Sequence, residues 1–379
     1  TGFGPKEGKK LLRLLSRNLG NAINCDEILG HGSNDLFVLF LRDTGDTGIR
    51  KRLLAIQEGV KTEITTSGAL YNISLAFGVY RPGKDEIDLE KMMEYADLAR
   101  LEAKNGHKGG IVFYETDLGE RTIHEAEIEN KMDQALQNGE FIVYYQPKYD
   151  LKTEKPAGAE GLVRWSSDKG LIMPGEFIEL FERNGFVLKL DLYVFEQTCA
   201  DIRRWLDEGR RVLPISINVS RLHLIDPEFV HDYKAIISKY RVPPELLELE
   251  LTEHMPMASE DFLVEVFNNI AGLGVSLAID DFGSGYSSLN ILHTMPFDTL
   301  KIDKMFFQDK TSSERGRRII ETVVLMAQKL GMRVVAEGVE TKEQAAFLQA
   351  IGCDWVQGFY FAKPMPSKEF ENLLSWEVL

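Results

Sequence analysis

Helical repeats and short apolar runs mix in the first third of the chain. Apolar residues at helical spacing predict helices over residues 9–20, 47–62 and 89–104. Runs bounded by turn-forming residues predict strands over 27–30, 36–41, 71–80 and 111–114. This mixture predicts an α+β domain over residues 1–116.

One long helix is predicted next, as a linker over residues 117–138. Its apolar residues, among them Ile123, Ile128 and Leu136, fall roughly on one side. Packing of that side on a neighbouring element explains the spacing. A signalling helix between two domains is the alternative interpretation.

Strand-like apolar runs then recur through residues 139–379, with helical segments between most of them. Their cores are residues 141–145, 159–163, 215–219, 247–251, 275–279, 300–302, 333–336 and 354–356. Eight strands with intervening helices predict an α/β fold of the (β/α)8 TIM-barrel type. Only residues 147–156 separate the first two runs, too few for a crossover helix, so we predict that the first strand is antiparallel to the second.

Charge, cysteine content and hydropathy exclude several classes of protein. The chain has 379 residues, 44% of them hydrophobic, and a formal net charge of −15, which argues against a nucleic-acid polymer as partner. Its three cysteines show no paired motif, and no apolar run reaches the ~20 residues of a membrane span. We expect a cytoplasmic protein whose full-length form carries an upstream sensor or membrane region.

Polar residues interrupt the barrel strands or directly follow them. A strand buried on both faces should be nearly all apolar, and one carboxylate there could be a structural group. Five carboxylates with amides and a lysine, from different strands, instead converge on the C-terminal face of a barrel. These residues are Gln146, Glu160, Asn218, Glu250, Asp280, Asp281, Lys301, Glu337 and Gln357.

Their charges predict a metal centre. Two divalent ions together with Lys301 would offset the five carboxylates, and oxygen-only ligands favour Mg²⁺ or Mn²⁺ over zinc. Successive strand side chains point to opposite faces, so we predict that the backbone bends at Asp281 to let it join Asp280. A helix-capping aspartate beside a solvated one is the alternative for this pair taken alone.

The second domain resembles the EAL domain of cyclic-di-GMP phosphodiesterases. The motifs are YYQP (144–147), AEGLVRW (159–165), INVS (217–220), ELELTE (248–253), DDFGSGYSSL (280–289), LKID (300–303), AEGVET (336–341) and CDWVQG (353–358). In the eponymous triplet, Gly161 replaces alanine and the carboxylate of Glu160 is kept.

This resemblance implies two-metal hydrolysis of cyclic-di-GMP to linear pGpG. It implies one ion held by Glu160, Asn218, Glu250 and Asp280, and a second held by Asp280, Asp281 and Glu337. It places Gln146, Arg164, Glu340 and Gln357 on the substrate. Lys301 would orient the nucleophile or stabilise charge, with a simple ion-pair role as the competing view, and Glu253 would anchor the loop after Asp281.

Further expectations follow from the same resemblance. Ca²⁺ should bind and inhibit, because its longer and less rigid coordination misplaces the water. We expect a homodimer through the EAL domain, coupled to catalysis by the loop that contains Gly283 and Gly285. The alternative function is a catalytically silent cyclic-di-GMP receptor that signals through a partner or dimer.

The first domain resembles a GGDEF (diguanylate cyclase) domain that lacks its N-terminal strand and metal-bearing first segment. The matches are SLAFG (74–78) and ADLARLEAKNG (96–106), and the signature hairpin reads SNDLF (33–37). The signature has lost its two glycines and its glutamate, which nucleotide approach and metal binding require. We expect an inactive regulatory or dimerising module, and GTP remains a candidate ligand.

Overall fold

The chain divides into two compact units, Thr1–Glu127 and Ile128–Leu379. A computed structural model describes residues 4–32, 35–66, 74–83, 88–105, 110–226, 228–253, 260–283, 292, 295–305 and 314–374. The division falls inside the helix α4, Thr116–Asn138. In its second half, Ile128 and Ala135 are buried in the core of the second unit.

The first unit is the α+β fold that the sequence predicts. Its helices are α1 (Gly4–Ala22), α2 (Gly45–Thr66) and α3 (Leu89–Asn105), and its strands are β1 (Ile28–His31), β2 (Phe37–Phe40), β3 (Phe77–Val79) and β4 (Ile111–Phe113). Strands β1 and β2 form an antiparallel hairpin, whereas β3 and β4 pair in parallel. Helices α1 and α2 and the four strands contribute to a small core built around Leu19, Ile49, Leu53, Ile56 and Ile111. A second buried cluster, Leu15, Val60 and Ile64, joins α1 to α2.

The predicted strand over residues 71–80 is shorter in the structure. It comprises Phe77–Val79, because its partner β4 offers only three paired residues. Residues 74–76 are not in a strand, and 71–73 lie outside the described residues. A cavity of about 610 Å³ lies beside β2 and β3 and is lined by residues of both strands.

The second unit is a closed barrel of eight strands. They are β5 (Phe141–Asp150), β6 (Lys155–Ser167), β8 (Ile215–Asn218), β9 (Leu247–Thr252), β10 (Ser276–Phe282), β11 (Thr299–Ile302), β12 (Arg333–Ala336) and β13 (Trp355–Val356). Their spatial order is β5-β13-β12-β11-β10-β9-β8-β6, and β6 closes on β5. Strand β5 is antiparallel to both of its barrel neighbours, as the short connection predicts.

Helices fill the connections between most of the parallel strands. They are α5 (Ile178–Asn184), α6 (Val187–Asp207), α7 (Phe229–Tyr240), α8 (Glu260–Ala271), α9 (Glu314–Lys329) and α10 (Lys342–Ala350). The short helix α11 (Ser367–Phe370) follows the last strand. Two short strands that the sequence reasoning missed, β7 (Gly170–Ile172) and β14 (Met365–Pro366), extend the sheet beside β6 and β5. Both are too short for a periodic pattern.

Strand register sets the polar side chains of the barrel interior at two levels. On β9, Glu248 and Glu250 share one face, and they lie beside Ser216 and Asn218 of β8. The upper level, near the carboxyl ends of the parallel strands, contains Gln146, Asn218, Glu250 and Lys301, and the lower level contains Lys148, Ser216, Glu248 and Thr299. The candidate active site is built on the upper level.

Within the described ranges, no helix is both long and apolar enough to cross a bilayer.

Candidate active site

Lys301 lies at the centre of the upper level, and its side chain is only 1% exposed. Its Nζ faces four carboxylates: Glu250 at 2.5 Å, Glu337 at 2.6 Å, Asp280 at 2.9 Å and Glu160 at 3.7 Å. Burial alone would lower the pKa of Lys301, but these carboxylates raise it well above its ordinary value. The lysine therefore remains a cation and gathers acidic groups from four strands or strand ends.

A bend in β10 brings the two adjacent aspartates together. Asp281 has a φ of +55°, in the left-handed region, and the pairing of β10 with β11 is irregular between Ile279 and Phe282. The strict alternation of side chains is thereby broken at Asp281, as the sequence predicts. Ligand oxygens of Asp280, Asp281 and Glu337 all lie within 4.8 Å of one another.

Ionising all the carboxyl groups of this cluster at once is unfavourable, because they are close together and partly or fully buried. Burial, with the charge of Asp280 and a hydrogen bond to Asp303, raises the pKa of Asp281 to about 7. Burial also raises the pKa of Glu337 well above its usual range, although Lys301 opposes the shift. Such a cluster favours either bound protons or a bound cation.

Side-chain amides hold Glu160 in place. Asn218 Nδ2 donates to Glu160 Oε1 at 2.7 Å, and Gln357 Nε2 donates to Glu160 Oε2 at 2.6 Å. The same Gln357 amide lies 3.0 Å from Gln146 Oε1, and Gln146 Nε2 donates to the backbone carbonyl of Ala362. Four residues predicted for the site are thus in direct contact.

Two other residues predicted to bind substrate, Arg164 and Glu340, make no hydrogen bond to the carboxylate cluster among the described residues. Arg164 is buried, with its guanidinium 5.6 Å from the centroid of the Tyr144 ring and Nη1 donating to the carbonyl of Val163. Glu340 is exposed, and among the described residues no hydrogen bond or ion pair joins its carboxylate to the site. The structure therefore does not bring Glu340 into the carboxylate cluster.

Glu253 lies beside the cluster, at the end of β9. Its side chain is buried, and its Oε2 accepts a hydrogen bond of 3.1 Å from the backbone amide of Gly283. Gly283 begins the loop for which the sequence predicted an anchor. Gly285 and the rest of that loop through residue 291 lie outside the described residues.

Sequence reasoning missed a second buried lysine. Lys148 Nζ donates to Ser216 Oγ at 2.7 Å, to Glu250 Oε1 at 2.9 Å and to Glu248 Oε2 at 3.3 Å. Period two along β5 and β9 was the available signal, since Lys148 follows Gln146, and Glu248 precedes Glu250, by two residues. The positive charge of Lys148 and the negative charge of Glu248 cancel, so the net charge of the barrel interior is unchanged when both are counted.

The donor set suits hard divalent cations. It comprises carboxylate oxygens and one side-chain amide from the carboxyl ends of the parallel strands and from β6, without histidine or thiolate ligands in the described cluster. The raised pKa values of Asp281 and Glu337 are the physical sign that a cation would stabilise the cluster. These residues therefore fit Mg²⁺ or Mn²⁺.

Comparison with known proteins gives two family matches. Residues 129–364 match the EAL domain, and residues 2–109 match the diguanylate cyclase GGDEF domain. The chain is 31% identical to signaling protein YkoW of Bacillus subtilis over 98% of this chain and 47% of that protein. It is 32% identical to cyclic di-GMP phosphodiesterase NbdA of Pseudomonas aeruginosa, over 98% of this chain and 48% of the relative.

A solved structure extends the comparison. The PaMucR phosphodiesterase in complex with c-di-GMP is 33% identical, with a TM-score of 0.61 over 64% of this chain and 99% of that one. The chain spans about half the length of the curated relatives named above. The chain belongs to the EAL-domain family, with a GGDEF-type unit preceding the EAL domain.

Proposed function

We propose that the EAL unit hydrolyses cyclic-di-GMP to linear pGpG with the help of two divalent metal ions. The observation that carries the proposal is the bend at Asp281, which brings Asp280, Asp281 and Glu337 within 4.8 Å of one another. Few non-glycine residues adopt a positive φ. At Asp281 this conformation brings three acidic groups together. The names of NbdA and of the PaMucR complex support the choice of substrate.

Two overlapping sets of residues would hold the ions. Glu160, Asn218, Glu250 and Asp280 form one set, and Asp280, Asp281 and Glu337 form the other, with Asp280 shared. When bound, such ions lower the pKa of a water molecule and neutralise a phosphate oxygen. The chain contributes ligands that range from the buried Glu160, Glu250 and Asp280 to the half-buried Asp281 and Glu337 and the exposed Asn218.

The remaining side chains would bind and orient the substrate. Arg164 suits a phosphate oxygen because its planar guanidinium donates charge-assisted hydrogen bonds. Gln146 and Gln357 offer amide groups beside Glu160. Lys301 would supply a fixed positive charge and N–H donors that orient the nucleophile or stabilise developing charge. In the proposed reaction the oxygen of one water bonds to phosphorus, the P–O bond to a ribose 3′-oxygen breaks, and a proton of that water ends on the 3′-oxygen that leaves.

A catalytically silent receptor is the competing function. All the acidic and amide side chains proposed as ligands are present, and those of Asp280, Asp281 and Glu337 already converge, which favours an enzyme over a protein that only binds cyclic-di-GMP. Mg²⁺ and Mn²⁺ should support turnover, whereas Ca²⁺ should bind and inhibit.

The GGDEF-type unit is proposed to be an inactive regulatory or dimerising module. Its signature lacks the glycines and the glutamate; Ser33 and Asn34 lie outside the described residues, and Asp35, Leu36 and Phe37 complete it. The protein should make no cyclic-di-GMP from GTP. Equilibrium dialysis with GTP tests whether this unit binds the nucleotide, and sedimentation tests the proposed homodimer through the EAL unit.

The direct test of the proposed activity is a chromatographic assay. The purified chain is incubated with cyclic-di-GMP and Mg²⁺, Mn²⁺, Ca²⁺ or a chelator, with Asp280→Asn as the inactive control. Conversion to pGpG in Mg²⁺ and Mn²⁺ alone supports hydrolysis. Tight binding of cyclic-di-GMP without conversion in Mg²⁺ assigns the receptor function instead.

A further inference from the structure

The carboxylate of Glu250 forms ion pairs with two buried lysines. Lys148 Nζ lies 2.9 Å from Oε1, and Lys301 Nζ lies 2.5 Å from Oε2. The side chain of Glu250 is 0% exposed and those of both lysines are 1% exposed. Each oxygen of this one carboxylate is therefore assigned to a different lysine.

The two lysines differ in how firmly they are held. The three N–H groups of Lys148 match three acceptors at hydrogen-bond distance, on Ser216, Glu248 and Glu250. Its partner Glu248 is fixed in turn, because Thr299 Oγ1 donates to Glu248 Oε1 at 2.6 Å. Lys148 is thus saturated by a network that lies below the proposed metal site.

Lys301 instead has more partners than donors. Four carboxylates lie within 3.7 Å of its Nζ, and it has three N–H groups to offer. A cation entering among these carboxylates can replace part of this pairing, so the bond from Lys301 to Glu250 Oε2 is the exchangeable one. The bond from Lys148 to Oε1 is not exposed to that competition.

We propose that Lys148 is a positioning residue for the metal centre: it retains Oε1 of Glu250 and thereby presents Oε2 to the metal ion. This inference rests on the proposed function. Outer partners that orient a ligand in this way typically change metal affinity by about 10–100-fold when they are removed. Lys148 also separates the charges of Glu248 and Glu250, which share one face of β9 and would otherwise repel in the barrel interior.

The test measures Mn²⁺ affinity by electron paramagnetic resonance on the full chain, without substrate. Lys148→Met should weaken Mn²⁺ binding about 10–100-fold. Because the single variant removes a positive charge from between two buried acids, Lys148→Met/Glu248→Gln is the second variant: it removes one charge of each sign and keeps an acceptor for Thr299. The double variant should show the same loss of affinity.

Tyr145→Phe is the matched control for general loss of stability. It lies on the same strand, and its hydroxyl donates to Asp201 at 2.9 Å, outside the metal centre. It should lower the melting temperature and leave Mn²⁺ affinity unchanged. A folded double variant with wild-type Mn²⁺ affinity overturns the role of Lys148, whereas a wild-type chain that binds no Mn²⁺ overturns the proposed function itself.

Discussion

The backbone amide of Asp281 donates a hydrogen bond of 2.9 Å to Oδ1 of Asp280, at the residue where β10 bends. This bond holds the carboxylate of Asp280 against the backbone of Asp281. The carboxylate of Asp281 belongs to the same cluster. A regular strand would place these side chains on opposite faces. The acidic pair is therefore a product of local backbone geometry as much as of composition.

Asp281→Asn removes the negative charge of residue 281 and keeps its backbone conformation. Asparagine tolerates positive φ, so the bend should persist and the protein should remain as stable as the wild type without metal. Turnover should fall about 10²–10³-fold, the usual loss for one preorganised electrostatic group. Steady-state assays and thermal unfolding in chelator measure the two effects, and near-normal turnover would remove Asp281 from the proposed ligand set.

The main features of the barrel were predictable because the signals for them are local. Eight apolar runs and the short link between β5 and β6 predicted a closed barrel with an antiparallel first strand, as found. The polar interruptions of the strands included the four carboxylates that surround Lys301. Lys148 was not predicted, because its partners Ser216 and Glu248 come from two other strands and only the register aligns them.

Other failures also have physical causes. The strand predicted over 71–80 is limited by its three-residue partner, and β7 and β14 exist because longer strands are beside them. Pairing of this kind depends on distant segments, which no local pattern contains.

Gly161→Ala should stabilise the EAL unit by about 0.5–1 kcal/mol, because glycine in a strand costs that much conformational entropy. A methyl group there would meet Val143 Cγ1 at 3.4 Å and Ser216 O at 3.6 Å, which are ordinary contacts. Urea unfolding measures the change, and cyclic-di-GMP turnover should be retained.

Gly158→Ala on the same strand is the matched control. Its methyl group would lie 3.1 Å from both Pro214 O and Trp355 Cζ3, so this variant should lose stability. Equal destabilisation by both substitutions would show that Gly161 is required by the strand and is not a tolerated replacement for alanine.

Glu253→Ala should lower turnover, weaken the Mg²⁺ dependence and disturb dimerisation together, since Glu253 holds the amide of Gly283 beside Asp281. Glu253→Gln keeps an oxygen acceptor for that amide and should retain more of each property. Kinetics at several Mg²⁺ concentrations and sedimentation measure them. A stable Glu253→Ala protein with unchanged turnover and mass would reduce Glu253 to a residue of about 1 kcal/mol in stability alone.

The GGDEF-type unit should lose stability in acid through Glu27. Hydrogen bonds from Arg52 and from the backbone amides of Asn24 and Arg42 hold the pKa of Glu27 well below its ordinary 4.5. Because the folded pKa is depressed, this stabilisation is full above pH 4.5 and is lost as the pH falls toward the folded value. Unfolding of wild type and Glu27→Gln should differ at pH 7, and the difference should shrink steadily as the pH falls below 4.5 toward the depressed folded pKa. A difference that does not shrink over that range would assign the effect to packing.

We propose that hydrolysis of cyclic-di-GMP requires two metal ions, which share Asp280 at the bend in β10. The most direct measurement counts bound Mn²⁺ per chain and assays cyclic-di-GMP turnover on the same samples, for wild type, Asp280→Asn and Asp281→Asn. We predict two ions with turnover in the wild type, and in both variants fewer than two ions with turnover severely reduced. Full turnover in a chain that holds one ion or none would contradict the account.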